Sequence, residues 1–219
     1  MIPGPTEIRE CSSCRKHIAQ NTLISGNNYG AVFWTDGKTD APMLPDQPWL
    51  VKCPHCGALL WIDEQTQVGE IGGFDSEPND LDSETTDAER FADASPALTP
   101  TLEDYVGFLK AGVHDKQKER YVRLRAWWAG NDPRRESSYQ STPLDSFEIE
   151  NLRVFITLLN ETDDGDRLMK AEALRELGEF AAAEKLLAAK FAKQRKEAVS
   201  IIRDLNQKRI TVVEEMKFK

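Results

Sequence analysis

The sequence is short of histidine, with three residues in 219, and of cysteine, with four. The histidines are His17, His55 and His114, and none stands in a motif that pairs it with a nucleophile. There is no GxSxG, no phosphate-binding glycine loop and no HExxH, which removes the common routes to acyl transfer, phosphoryl transfer and metalloprotease chemistry. Paired carboxylates abound between residues 73 and 98, but a stretch without sustained periodicity cannot hold two of them in catalytic geometry. The chain therefore reads as non-enzymatic. No apolar run approaches the ~18–20 residues that span a bilayer. The start, Met1-Ile2-Pro3-Gly4-Pro5, has neither the positive region nor the apolar core of a signal peptide. A cytoplasmic location is the expectation.

What cysteine there is falls into two close pairs, Cys11-Ser-Ser-Cys14 and Cys53-Pro-His-Cys56-Gly57. Two cysteines separated by two residues put both sulfurs on one side of a tight turn, and two such turns supply four thiolates for a tetrahedral ion. The expected cofactor is one structural Zn2+ on Cys11, Cys14, Cys53 and Cys56. Pro54 stiffens the second turn, and Gly57 stands where positive φ is common. Trp49-Leu50-Val51 before it and Ala58 to Ile62 after it predict strand, metal turn, strand. The 38 residues between the pairs exceed the usual ~15–20. An inserted hairpin accounts for them, with Ala31 to Trp34 as a strand and Asp36-Gly37 as its turn. A redox dithiol would need a βαβ context, and disulfides would imply export. His17 and His55 are alternative ligands but read better as solvent-facing turn residues. Phe33, Trp34, Trp49 and Trp61 are expected to pack around the metal turns.

The net charge of −9 is unevenly spread. Residues 1–62 hold five bases and five acids; residues 63–104 hold thirteen acids and one base, Arg90; residues 105–219 hold 22 bases and 19 acids. The predicted organisation is a β module over 1–72, a disordered acidic linker over 73–98, and a helical domain over 99–219. The linker composition buries too little apolar surface to offset the entropy of ordering.

From Thr99 onward, helical periodicity predicts about five helices: 101–111, 115–129 ending at Gly130, 146–160 capped by Asp145 or Ser146, 164–177, and one from 181 to about 205. Ile210 to Val213 reads as an extended tail or short strand. The second helix interleaves Arg120, Arg123 and Arg125 with Trp127, and Arg134 and Arg135 follow. These six residues are the expected partner surface, although a buried aromatic stripe with a solvated basic face is the simpler account of them.

Through its two cysteine turns the N-terminal part resembles zinc-ribbon modules. Ala171, Leu174, Leu177-Gly178, Phe180, Ala183 and Leu187 resemble the turn of a tetratricopeptide helical hairpin, with Arg167 in place of the expected early aromatic and no second copy at a 34-residue interval. The stretches Ser25 to Ala31, Trp34 to Gly37, Ala41 to Pro45 and Ala126-Trp127-Trp128 resemble a group of uncharacterised bacterial proteins, which implies architecture and no activity. The fold class expected is α+β. The expected function is a zinc-binding scaffold or adaptor making protein–protein contacts. The alternative is a nucleic-acid-binding zinc ribbon, which the neutral ribbon half and the acidic isoelectric point disfavour.

Overall fold

The structure, a computed structural model, describes residues 1–72, 89–135 and 142–218. It is α+β, with strands in the N-terminal half and six helices in the C-terminal half. Two compact units divide the chain. The first comprises Met1–Ala31 with Ala41–Asp104, and the second Val32–Asp40 with Tyr105–Lys219.

The first unit is built on β1 (Ile2–Glu10) and β2 (His17–Ser25), an antiparallel pair joined across the first cysteine turn with Glu10 opposite His17. The strands β3 (Val32–Phe33) and β4 (Thr39–Asp40) form the inserted hairpin, which belongs to the second unit. A further hairpin joins β5 (Leu50–Lys52) to β6 (Leu59–Trp61) across the second cysteine turn. β7 (Thr66–Ile71) pairs with the other side of β1, and β8 (Ser95–Pro96) runs parallel to β2, giving the order β7-β1-β2-β8.

The sequence reading missed β1 and β2 as strands because Pro3, Gly4 and Pro5 argue against them. Pairing of β1 with β7 ends at Thr6, so both prolines lie where β1 has a neighbour on one side only, the place a strand tolerates proline. The core of this unit is aliphatic and sulfur-bearing: Cys11, Ile18, Val51, Cys53, Leu60 and Ile62. The expected aromatic packing around the metal turns is corrected here. Trp49 is exposed, and Phe33 and Trp34 belong to the second unit.

The expected linker also ends earlier than position 98. Residues 73–88 lie outside the described residues, but 89–98 are part of the first unit. Phe91 is buried over Gly69, where an added Cβ would come within 2.3 Å of its ring. Leu98 exchanges both backbone hydrogen bonds with Lys52, at 2.8 and 3.0 Å. One buried aromatic and a short ladder tie down a segment whose average composition is that of a spacer.

The second unit takes α1 (Leu102–Ala111) from Tyr105 onward and contains α2 (Lys116–Arg135), α3 (Ser146–Phe155), α4 (Asp164–Glu176), α5 (Phe180–Leu187) and α6 (Lys196–Gln207). Helix α3 starts at a capping box in which Asp145 accepts from the Glu148 amide and Glu148 accepts from the Asp145 amide. α2 does not stop at Gly130. The missing Cβ lets Glu148 of α3 press against the helix, and Arg134 turns back to donate to the Gly130 carbonyl at 2.7 Å.

The single helix expected over 181–205 is two helices. Neighbouring side chains take the backbone groups at the break: Asp164 accepts from the Ala192 amide, Arg167 donates to the Lys190 carbonyl, and Arg203 to the Leu187 carbonyl. α4 and α5 pack against each other, Ala171 and Ala183 are both fully buried, and Gly178 at φ +75° closes their turn. The C-terminal stretch is held by Arg175, which donates to the Val212 carbonyl, and it bridges to the inserted hairpin between Trp34 and Glu215.

Candidate metal centre

The two cysteine turns have one design. In the first, the Cys11 amide donates to the Lys16 carbonyl at 2.9 Å and the Arg15 amide to the Cys11 carbonyl at 2.8 Å. In the second, the Cys53 amide donates to Ala58 at 2.8 Å and the Gly57 amide to Cys53 at 3.0 Å. Each turn closes a hairpin, so strand pairing of β1 with β2 and of β5 with β6 fixes where the sulfurs point. Backbone amides are aimed at the sulfurs: Lys16 at Cys14, His55 and Cys56 at Cys53, and Ala58 at Cys56.

The four Sγ atoms lie within 4.8 Å of one another and could hold a metal ion. Cys11 and Cys56 approach to 3.9 Å, Cys14 and Cys53 to 3.8 Å. Four thiolates each about 2.3 Å from a central ion define a tetrahedron with edges of about 3.8 Å, so the donor set fits. Burial pushes the Cys53 thiol up to about 12, while the Ala58 amide brings Cys56 down to about 7. An ion entering the site must therefore displace protons.

No family model matches the chain, and no curated protein or solved structure matches it.

His17 and His55 are engaged away from the cluster. His55 Nε2 lies 2.9 Å from the His17 carbonyl, and His17 Nδ1 lies 2.6 Å from Asp93, with its ring edge-on to Phe91. One supporting residue escaped the sequence reading. Gln65 is buried; its Oε1 accepts from the Ser12 amide at 2.9 Å and its Nε2 donates to the Trp61 carbonyl at 3.1 Å. It thereby ties the first cysteine turn to the strand that leaves the second. A lone glutamine after a short apolar stretch carries no sequence signal for such a role.

The six residues expected as a partner surface do not form one exposed basic face. Trp127 and Arg134 are buried. Arg134 is held by Glu148 at 2.6 and 2.7 Å, and Arg135 by Asp36 at 2.6 Å. Arg120 pairs with Asp166, and Arg123 with Glu119 at 2.8 Å. Arg125 lies over the Trp128 ring, 5.3 Å from its centroid. Asp36, Glu148 and Asp166 from other elements, with Glu119 on the same helix, pair with arginines that read as a basic stripe.

Proposed function

We propose that the cysteine cluster holds one structural zinc ion and that the protein is a zinc-stapled, non-enzymatic scaffold of the cytoplasm, contacting other proteins through its helical unit. The observation that carries the zinc reading is the pair of matching turns that bring four sulfurs within 4.8 Å. Four thiolates complete the tetrahedron that zinc prefers and leave no position open to water, so the ion staples the fold and performs no chemistry.

The scaffold reading draws on α4 and α5. Their packing with the small residues Ala171 and Ala183 buried and the glycine turn at Gly178 have the character of a tetratricopeptide hairpin, and helical hairpins offer grooves to peptides and partner helices. The nucleic-acid alternative needs clustered, uncommitted Lys and Arg for phosphate contacts. Arg120, Arg123, Arg134 and Arg135 already have carboxylate partners, which weighs against it.

The test is elemental analysis of the full chain purified without added metal, followed by affinity capture with and without nuclease. One zinc per chain, absent from the Cys53→Ser/Cys56→Ser variant, supports the staple; another metal, or none, refutes it. Protein partners that withstand nuclease support the scaffold, whereas partners lost with nuclease replace it with the nucleic-acid reading.

A further inference from the structure

Among the described residues of the helical unit, five acids are buried: Asp36, Glu148, Asp166, Glu172 and Glu176. Four have a guanidinium partner: Asp36 has Arg135, Glu148 has Arg134, Asp166 has Arg120, and Glu172 has Arg175. Among the described residues, the donors to Glu176 are neutral. Trp127 Nε1 donates to it at 2.8 Å and Asn131 Nδ2 at 3.2 Å, and the same Asn131 amide also donates to Asp36 at 3.0 Å. A buried carboxylate without a counter-charge is costly, and the usual remedies are a proton or a cation. Burial, together with the charges of Glu172 and Asp36, pushes Glu176 up to about 8 against the opposing pull of Arg175.

Glu176 also lines a cavity of ≈ 280 Å³. Leu144, Ile149, Leu177 and Val212 form apolar wall, and the two arginines present are committed, Arg134 to Glu148 and Arg153 to Glu179 at 3.0 Å. Among the described residues lining this space, Glu176 is the acid without an arginine partner, set beside an apolar lining.

We propose that this cavity binds a primary ammonium group on an apolar stem, with the ammonium against Glu176 and the stem along Leu144, Ile149, Leu177 and Val212. Trp127 and Asn131 already use part of the carboxylate's acceptor capacity, so the bidentate fork of a guanidinium is poorly met, whereas an ammonium needs only one remaining direction. A divalent cation would need several oxygen ligands, and among the described residues of the lining Glu176 is the one carboxylate. The chemistry is shared by a free alkylamine and a lysyl side chain.

Binding requires ionised Glu176 and a protonated amine. Affinity therefore rises with pH up to about 8, holds, and falls again above the ammonium pKa of about 10.4. The charged groups acting on Glu176 are Glu172 and Arg175 on α4, Asp36 from the hairpin and Arg134 from α2; Arg135 and Glu148 pair with the last two, Arg153 lines the same cavity, and Glu214 acts on Arg175.

The test is titration calorimetry on the full chain with n-butylamine and with N-acetyl-lysine N-methylamide, from about pH 6.5 to about pH 9.5. The proposal expects saturable binding of at least one probe, strengthening by up to about tenfold per pH unit below about pH 8. Glu176→Gln should weaken it at least about tenfold while leaving an acceptor for Asn131 and Trp127. Ile149→Trp, at a half-exposed wall position, should block binding with Glu176 intact. Tighter binding of butylamine identifies a free amine as the ligand, and tighter binding of the lysyl probe identifies a peptide. The proposal is overturned if neither probe saturates at any pH, or if either folded variant binds as the wild type does.

Discussion

Arg15 and Gly57 hold the same place in the two cysteine turns. Each follows the second cysteine of its pair, each donates its amide to the first cysteine's carbonyl, and each has left-handed backbone, φ +63° for Arg15 and +75° for Gly57. Only glycine adopts that conformation without steric cost, so one turn meets the need in its sequence and the other tolerates strain.

Arg15→Gly should therefore stabilise the metal-loaded protein by about 0.5–1 kcal/mol, and Gly57→Ala should destabilise it by about 1 kcal/mol. The ion pair lost between Arg15 and Glu10 is largely exposed and offsets little. Denaturant titrations of the two variants check both signs; equal shifts in one direction would contradict the equivalence of the turns.

Removing the metal by chelation, or replacing Cys53 and Cys56 together by serine, should unfold the first unit, because ion binding supplies folding energy on the order of 10 kcal/mol. Hydrogen exchange is the appropriate measurement. Amides of residues 1–31 and 41–72 should lose protection, while those of α4 and α5 keep theirs.

Metal affinity should fall steeply as pH falls. Thiolates bind metal and thiols do not, and Cys53 is pushed up to about 12 while Cys56 is brought down to about 7. At about pH 8 Cys56 is already mostly ionised, whereas Cys14 and Cys53 are pushed up and release protons on binding. Calorimetry in buffers of different ionisation enthalpy counts those protons, and a count near zero would show that the site is pre-ionised.

Glu176 should make stability depend on pH. In the folded chain it holds its proton up to about 8, whereas the unfolded chain releases it near 4.5. Between those values the folded state binds more protons, so this group's stabilising contribution is greatest below about pH 4.5 and declines as pH rises to about 8. Subtracting the pH profile of Glu176→Gln from that of the wild type isolates the slope, and parallel profiles would refute it.

Gly130→Ala should destabilise the helical unit although alanine is the better helix former. Its Cβ would lie 2.4 Å from Glu148 Oε1, which Arg134 holds at 2.6 Å. Displacing that carboxylate breaks a buried pair, at a cost of about 3–5 kcal/mol. A thermal melt unchanged or raised would mean that the pair relaxes around the methyl group.

The amino-acid sequence by itself determined what depends on neighbours in the chain. Cys53 to Gly57 specifies its own turn and the strands on either side of it. Asp36-Gly37 specifies a hairpin, and Asp145 with Glu148 specifies a helix start. Periodicity placed most of the helices. Tertiary structure decided what rests on distant partners. Four sulfurs converge because two separate hairpins present them. Pro3 and Pro5 are tolerated in β1 because its pairing with β7 ends at Thr6. Phe91 joins the first unit because Gly69 leaves room for its ring. The arginines of α2 look like a surface along one helix and become internal ion pairs once Asp36, Glu148 and Asp166 arrive from elsewhere. Local conformational preference is written over a few residues; the neutralisation of a buried charge can span as many as the 99 residues between Asp36 and Arg135, and only the folded chain brings its two halves together.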